Sequence, residues 1–217
     1  MVIGNRQIGW SQEEILLWEI SRELDKLLCS NTVCTTTTLP PTQLRMLFND
    51  INAVGDPNDL NTWNSFFQLP TFGNPFTSFT IIGNEIFLFG GSNITIVSDI
   101  FTESSNILEI EDVTSNVIIG TNIKTFSNAT LLTTVILPAI LIISGESFKN
   151  CTSLIELNIS SCTNLGPTVG DDLVFDSIIG NTITLTVPSA LMTCNSGSPD
   201  GDIQYLQANN TVTIITV

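Results

Sequence analysis

The chain has 217 residues, with 21 acidic and 6 basic side chains, no histidine and a formal net charge of −15. Hydrophobic residues make up 42% of it and charged residues only 12%, which predicts a folded chain with a surface of Asn, Thr, Ser and Gln. The chain has no basic face through which it could bind nucleic acid by counterion release. It also has no histidine for a catalytic triad, a His-ligated zinc site or an imidazole pH switch. These function classes are excluded, and we expect neither a cofactor nor a metal.

The charges are unevenly distributed along the chain. Residues 1–45 carry a local balance of −1, whereas residues 46–217 carry −14, with Lys124 and Lys149 as their only basic residues. Such asymmetry predicts two structural parts, the larger of which avoids nucleic acids and anionic membrane surfaces. The first ten residues do not resemble a signal peptide, and no run approaches the roughly 20 apolar residues of a membrane span. We therefore expect synthesis in a cytoplasm and no membrane insertion.

The first predicted element is an amphipathic helix within residues 1–30. The run Ser11-Gln-Glu-Glu14 reads as a capping box, and apolar residues then recur at spacings of three and four, as in an a/d seam. Fewer than two heptads leave two alternatives open, a seam that packs on its own domain and a seam that binds a partner. In the partner-binding hypothesis, the anchoring residues are Trp10, Leu17, Ile20, Leu24 and Leu27.

Residues 31–41 are predicted to be a Thr-rich linker and residues 42–78 a helical cap. The first helix of the cap, over 42–53, would bury apolar residues at helical spacing: Leu44, Leu47, Phe48 and Ile51. The second would follow Asp56-Pro57, an N-cap and first-turn proline, and bury a largely aromatic set: Leu60, Trp63, Phe66 and Phe67. We interpret this aromatic set as core and not as a binding patch.

Residues 79–217 show a period of 22, in which the run Phe126–Thr130 aligns with the run Phe148–Thr152. A repeat of this length with Leu or Ile at fixed positions predicts a leucine-rich-repeat-type β-solenoid, with the final run 211–217 as one of its caps. The expected fold class is therefore α+β, N-terminal amphipathic helices followed by this solenoid. The repeat core is expected to contain Phe126, Phe148, Leu132, Leu154, Asn128 and Asn150, with the two buried asparagines hydrogen-bonded along the stack.

Three stretches resemble the BspA-like leucine-rich repeats, in which F-x-x-C-x-S-L alternates with I-x-L-P. They are Leu132–Ala139, Ser147–Leu154 and Leu157–Leu165. Ala129 stands where cysteine is usual in that family, and the segment 166–182 does not keep the period. The resemblance covers about residues 80–190 and implies a leucine-rich-repeat solenoid.

Two stretches, Ile8–Ile20 and Val187–Asn210, lie toward the two ends of the chain. Both resemble segments of virion proteins from phages that infect Bacteroidetes. This resemblance implies a structural or host-contacting virion protein that is made in the bacterial cytoplasm.

The remaining open questions in the sequence concern the roles of the acidic side chains and of the cysteines. A carboxylate pair in a groove would support polysaccharide cleavage, and the candidate acids are Glu109, Glu111, Asp112, Asp171, Asp172, Asp176, Asp200 and Asp202. Asp200-Gly-Asp202 is either part of a calcium loop or an ordinary turn. Cys29 and Cys34 are either a short-range disulfide or reduced thiols, and we expect Cys151 and Cys162 to be small buried apolar residues.

The expected function is that of a non-enzymatic phage virion protein, a fibre, spike or decoration, whose acidic repeat domain adheres to a host-surface glycan or protein. Its N-terminal helix would bind other virion proteins or further copies of the chain, with a homotrimer as the analogy from fibres. The alternatives are a bacterial cell-surface leucine-rich-repeat adhesin and a carboxylate-based polysaccharide depolymerase.

Overall fold

The computed structural model describes residues 43–68, 75–90, 93–96, 106–115, 117–121, 124–166 and 173–217. The predicted helix of residues 1–30, with Trp10 and its seam, and the linker 31–41 lie outside the described residues. The strands in chain order are β1 Gln43–Phe48, β2 Phe67–Gln68, β3 Ser78–Ile82, β4 Glu85–Phe89, β5 Ile94–Ile96, β6 Ile107–Asp112, β7 Ile118–Thr121, β8 Thr134–Ile136, β9 Ile142–Ile143, β10 Glu156–Asn158, β11 Asn164–Leu165, β12 Thr182–Val187 and β13 Thr211–Thr216. The helices are α1 Leu60–Asn64 and α2 Gly201–Asn209, with 3-10 turns at Ile51–Val54 and Ser189–Met192.

The strands form two sheets. The larger sheet has eight strands in the order β13-β12-β10-β8-β6-β1-β4-β3, parallel from β6 to β13 and antiparallel from β6 through β1 and β4 to β3. The smaller sheet has five strands in the order β11-β9-β7-β5-β2, and only β2 runs antiparallel to its neighbour. From β5 to β12, successive strands alternate between the sheets.

The predicted α+β class, with helices before a leucine-rich-repeat-type solenoid, is wrong. The described residues are mostly β, in two sheets, and their two α-helices have five and nine residues. A 22-residue spacing does relate neighbouring strands in the middle of the molecule, where Leu157 lies opposite Val135. The spacing becomes 25 between Ile110 and Val135 and 28 between Leu157 and Leu185. The period therefore reports strand spacing locally, but it does not reveal the mixed eight-stranded sheet.

The predicted helical cap of residues 42–78 contains a central strand of the larger sheet instead. In β1, Leu44, Met46 and Phe48 are buried and the residues between them are half-exposed. Burial of every second residue is typical of a strand. Over so short a run, Leu44, Leu47 and Phe48 also have helical spacing, so the sequence alone is compatible with both structures. Two neighbours, β4 and β6, decide the outcome because they pair with both edges of β1.

The second predicted helix is shorter than the pattern indicated. Asp56 accepts from the Asn58 amide in a turn, and α1 begins only at Leu60, after the N-cap Asp59, whose carboxylate accepts from the Asn61 amide at 2.9 Å. Trp63 is buried and donates from its ring nitrogen to the Pro57 carbonyl at 2.8 Å. The aromatic set lies in the core, with Trp63 and Phe66 in edge contact at 5.7 Å.

One hydrophobic core contains the inward side chains of both sheets, so the sheets face each other across it. Within it, the rings of Phe126, Phe148 and Phe175 form a column, stacked at centroid distances of 5.2 and 5.9 Å. The turns that hold these rings are joined by backbone bonds, since the Phe148 amide donates to the Val174 carbonyl at 2.9 Å. Each layer therefore orders the next.

Helix α2 ends this stack of turns by supplying side-chain acceptors. The Val174 amide donates to the Asp202 carboxylate at 2.7 Å, and the Ser177 amide donates to the Tyr205 hydroxyl at 3.2 Å. The run 211–217, predicted to be a cap, contains β13, the edge strand of the larger sheet over Thr211–Thr216.

Candidate functional site

The outward side of the eight-stranded sheet is a broad array of polar side chains, which we call the outer face. Register places two rows across all eight strands, from β3 to β13. The first row is Ile82, Glu85, Leu47, Glu109, Thr134, Glu156, Thr184 and Thr213. The second row is Thr80, Phe87, Arg45, Glu111, Ile136, Asn158, Thr186 and Ile215. At roughly 4.8 Å per strand, the array spans about 34 Å.

Arg45 is the only basic side chain of the outer face and is surrounded by carboxylates. Its Nε donates to Glu85 Oε1 at 2.7 Å, and a terminal nitrogen also contacts Glu85. Its other terminal nitrogen lies 2.8 Å from Glu109 Oε2 and 3.5 Å from Glu111 Oε2. One guanidinium therefore holds three carboxylates, which belong to the strands on either side of β1.

Partial burial and the ion pairs together shift the pKa values of Arg45 and Glu111. Burial by itself would lower the pKa of Arg45, but hydrogen bonds and charge from Glu85 and Glu109 outweigh it and raise that pKa. Burial raises the pKa of Glu111, while Arg45 opposes the rise. Glu109 and Glu111, the candidate catalytic acids on β6, thus lie on the sheet surface and share Arg45 as their cation.

The outer face changes chemistry along its length. Its acids lie on β4, β6 and β10, whereas β12 and β13 present only Thr and Ile side chains outward. Phe87 is half-exposed beside Arg45, to which it is paired in register. The face therefore combines carboxylate, hydroxyl, amide and aromatic groups at strand spacing.

Asp202 and Asp200 lie at the N-terminus of α2 and not in an open loop. Asp200 is the N-cap and accepts from the Asp202 amide at 2.9 Å, and buried Asp202 accepts from the Val174 amide. Burial raises the pKa of Asp202 to about 6, with the nearby Asp200 charge adding to it and the Val174 hydrogen bond opposing it. These contacts describe helix and turn capping, and no cluster of three or more metal-ligating side chains occurs among the described residues.

The other candidate acids are distributed among separate contacts. Buried Asp112 accepts from the amides of Val117 and Ile118 at 2.7 and 3.0 Å, which closes the turn after β6. Asp176 lies 3.4 Å from Lys149 Nζ. Asp171 and Asp172 lie outside the described residues.

Glu146 occupies a second charged cluster, formed by the turns. Lys149 Nζ lies 2.8 Å from its Oε1 and Lys124 Nζ lies 3.1 Å from its Oε2. Hydrogen bonds from Lys149 and then Lys124 lower the pKa of Glu146. Lys124 and Lys149 are the only basic residues in the sequence 46–217, and both stabilise adjacent turns of the stack through Glu146.

The six residues expected in the repeat core separate into two groups. Phe126, Phe148, Leu132 and Leu154 are fully buried. Asn128 is exposed and Asn150 half-exposed, with φ angles of 65° and 59°. Asn150 Nδ2 donates to Asn128 Oδ1 at 2.8 Å, so the expected bond along the stack is present, but at the surface. Asparagine suits these positions because it tolerates left-handed backbone.

Two of the three cysteines with described positions are buried in the core. Cys151 and Cys162 are fully buried, and burial raises the pKa of both thiols, that of Cys162 to about 11. Cys194 is exposed. Cys29 and Cys34 lie outside the described residues.

Arg45 and Asp202 were not identified from sequence as an organising cation and a buried cap. Arg45 had a signal, since it interrupts the apolar run of β1 at an alternating position. Asp202 had none, because its partner Val174 is 28 residues away.

Comparison of the chain with protein-family models, curated proteins and solved structures gave no match to any of them. Among the described residues, none of the helices has the length and apolar character needed to cross a membrane.

Proposed function

We propose that the chain is a non-enzymatic contact protein whose outer face adheres to a surface receptor, a hydroxyl-rich glycan in the first instance. The observation that carries this proposal is the two-row array itself, which strand register places across all eight strands of the larger sheet. Hydroxyl, amide and carboxylate groups at regular spacing supply the donors and acceptors that sugars require. Phe87 adds an apolar ring at one end of the array.

The charge of the outer face limits the classes of glycan that it can bind. Glu85, Glu109, Glu111 and Glu156 outnumber Arg45, so an anionic polysaccharide meets repulsion. Neutral and amino-bearing glycans are the ligands that this face suits. An enzymatic role receives no comparable support, since Glu109 and Glu111 pair with Arg45, and Asp200 and Asp202 accept from backbone amides.

The proposed setting is the surface of a phage virion, with residues 1–30 as the attachment segment. Its support is the resemblance of the chain ends to virion proteins, together with the seam of Leu17, Ile20, Leu24 and Leu27. Mass spectrometry of purified virions should detect this chain. Its absence from particles would contradict the setting while leaving the adhesive face to be tested separately.

A glycan array with matched variants tests the adhesive face. Combining Glu156→Ala with Thr184→Ala removes neighbouring polar groups from the first row and should weaken binding about tenfold or more. The control combines Thr163→Ala with Asn164→Ala, which are exposed residues at the smaller sheet. Equal binding by both double variants would contradict the outer face as the site, and sugar release from any bound glycan would contradict a non-enzymatic role.

A further inference from the structure

Strand β13 has one backbone edge that is unpaired within the described part of the chain. The Thr211 amide donates to the Asn181 carbonyl at 2.9 Å and the Val217 amide to the Val187 carbonyl at 3.1 Å. Odd-numbered residues therefore direct their backbone groups toward β12. Because this direction alternates along a strand, the N–H and C=O groups of Val212, Ile214 and Thr216 point to the open side.

The sequence of β13 contains none of the features that protect an edge. Its residues, TVTIIT, are all β-branched, with no charge, proline or glycine. Natural proteins usually blunt such edges with lysine, proline or a bulge, because an unprotected edge pairs with another strand. Val212 and Ile214 also remain only partly buried at the margin of the core.

The distribution of charge allows two copies to approach at this edge. A formal charge of −15 opposes association generally, but neither β12 nor β13 carries a charged residue. The nearest acid on the outer face is Glu156 of β10, two strands from β13, or about 10 Å at normal strand spacing. That distance is about one Debye length at 0.1 M salt, so repulsion across a β13 contact is largely screened.

We propose that β13 pairs antiparallel with β13 of a second copy of this chain, about a two-fold axis at Ile214. In this register Ile214 lies opposite Ile214 and Val212 lies opposite Thr216. All six outward N–H and C=O groups of each strand segment then form hydrogen bonds, and the Val212 and Ile214 side chains gain cover from the partner. The two eight-stranded sheets join into one, and the two-fold axis closes the assembly at a dimer.

The self-pairing of β13 differs from a contact between β13 and the opposite edge strand, β3. Pairing β13 with β3 is heterologous and would give a closed ring or an open filament. Sedimentation velocity of the 217-residue chain over a concentration series separates these outcomes. A monomer–dimer equilibrium that strengthens with added salt is expected. A monomer at every concentration, or species that grow beyond the dimer, would overturn the proposal.

Disulfide trapping tests the register. Ile214→Cys places two thiols across the axis, where the Cα atoms of a hydrogen-bonded antiparallel pair lie about 5.5 Å apart, within disulfide range. Val212→Cys is the matched control, because two copies of that position lie more than about 13 Å apart. The unsubstituted chain reports background from its five native cysteines. Trapped dimer from Ile214→Cys alone supports the register, and equal trapping from both variants, or none, overturns it.

Thr216→Pro tests whether the backbone edge carries the contact. Its N–H faces away from β12, so proline removes a donor to the partner and leaves the β12 ladder intact. The dimer dissociation constant should rise about tenfold or more while the melting temperature of the monomer stays unchanged. An unchanged dissociation constant in a folded variant would contradict edge pairing.

Discussion

Arg45 joins carboxylates from two strands that do not touch each other, because β1 lies between β4 and β6. Without the guanidinium, Glu85, Glu109 and Glu111 would repel one another on a partly buried surface. A hydrogen bond to a charged group contributes about 1.5–3 kcal/mol, more than an exposed surface pair. Arg45 therefore acts as a structural cation as well as a member of the outer face.

Replacement of Arg45 by methionine should lower the free energy of unfolding at pH 7 by about 1–3 kcal/mol. Burial already raises the pKa of Glu111, and loss of the opposing Arg45 charge would raise it further in the folded state, so the variant should regain stability as the pH falls from 7 to 5. Urea denaturation at both pH values measures this, with Arg45→Lys as the charge-preserving control. A loss that does not depend on pH would contradict the electrostatic explanation.

Asp202 makes the opposite kind of contribution, because its folded-state pKa of about 6 lies above the usual value of 3.8. The folded state then binds a proton more readily than the unfolded state, so stability falls as the pH rises from 4 to 6. Asp202→Asn keeps an acceptor for the Val174 amide and removes the titration. Between pH 4 and 6, the free energy of unfolding should fall by about 1–2 kcal/mol less in the variant than in the wild type, allowing for solvent screening.

Chemical denaturation at pH 4, 5 and 6 compares the two chains. Parallel pH profiles would show that Asp202 is not the titrating group. Asp202→Ala provides a further control, since it leaves the Val174 amide unpaired and should cost about 1–3 kcal/mol at every pH.

At the scale of elements, the column of three phenylalanines aligns the turns between the sheets. Phe148 stacks on Phe126 at 5.2 Å and on Phe175 at 5.9 Å, whereas Phe175 stacks on Phe148 alone among the described residues. Offset ring pairs contribute about 0.5–1.5 kcal/mol each beyond their burial. The central ring therefore couples three layers.

Phe148→Leu should destabilise the protein by about 1–3 kcal/mol, and by more than Phe175→Leu, because it disrupts stacking on both sides. Thermal and urea denaturation of the two variants and their combination gives the coupling energy between the rings. Additive effects of the two substitutions would indicate that the rings contribute burial without stacking.

At the scale of the whole molecule, the dominant electrostatic fact is self-repulsion. Residues 46–217 carry a balance of −14, and their two cations, Lys124 and Lys149, are already paired with Glu146. Arg45, just before this part of the chain, is paired with its three acids. Net charge of this size destabilises a compact state and is screened by salt. The same screening favours contact between copies at the uncharged β13 edge.

Raising NaCl from low to physiological and higher concentration should therefore raise the melting temperature, by roughly 2–4 °C per kcal/mol recovered. Differential scanning at fixed protein concentration measures the effect. Because dimer formation also raises a melting temperature, Thr216→Pro serves as the control for intramolecular repulsion alone. A melting temperature that falls with salt would show that paired charges outweigh the net repulsion.

Local and whole-chain information contributed differently to this fold. The 22-residue period is local, and it correctly relates Phe126 to Phe148 and Leu132 to Leu154, all of them buried. Composition likewise limited the chemistry, since a chain without histidine and with few lysines restricts both catalysis and nucleic-acid binding. The asparagines were aligned correctly but expected inside, because periodicity does not distinguish a buried ladder from a left-handed turn.

Composition and the period thus determined by themselves the acidic, charge-poor surface and the spacing of the central layers. Only the tertiary structure decided that β1 is a strand, because six residues satisfy helical and alternating patterns equally and the neighbours β4 and β6 select between them. It also decided the Arg45 cluster and the Asp202 cap, whose partners lie 28 to 66 residues away. Contacts of this range depend on strand order and register, which no local pattern contains.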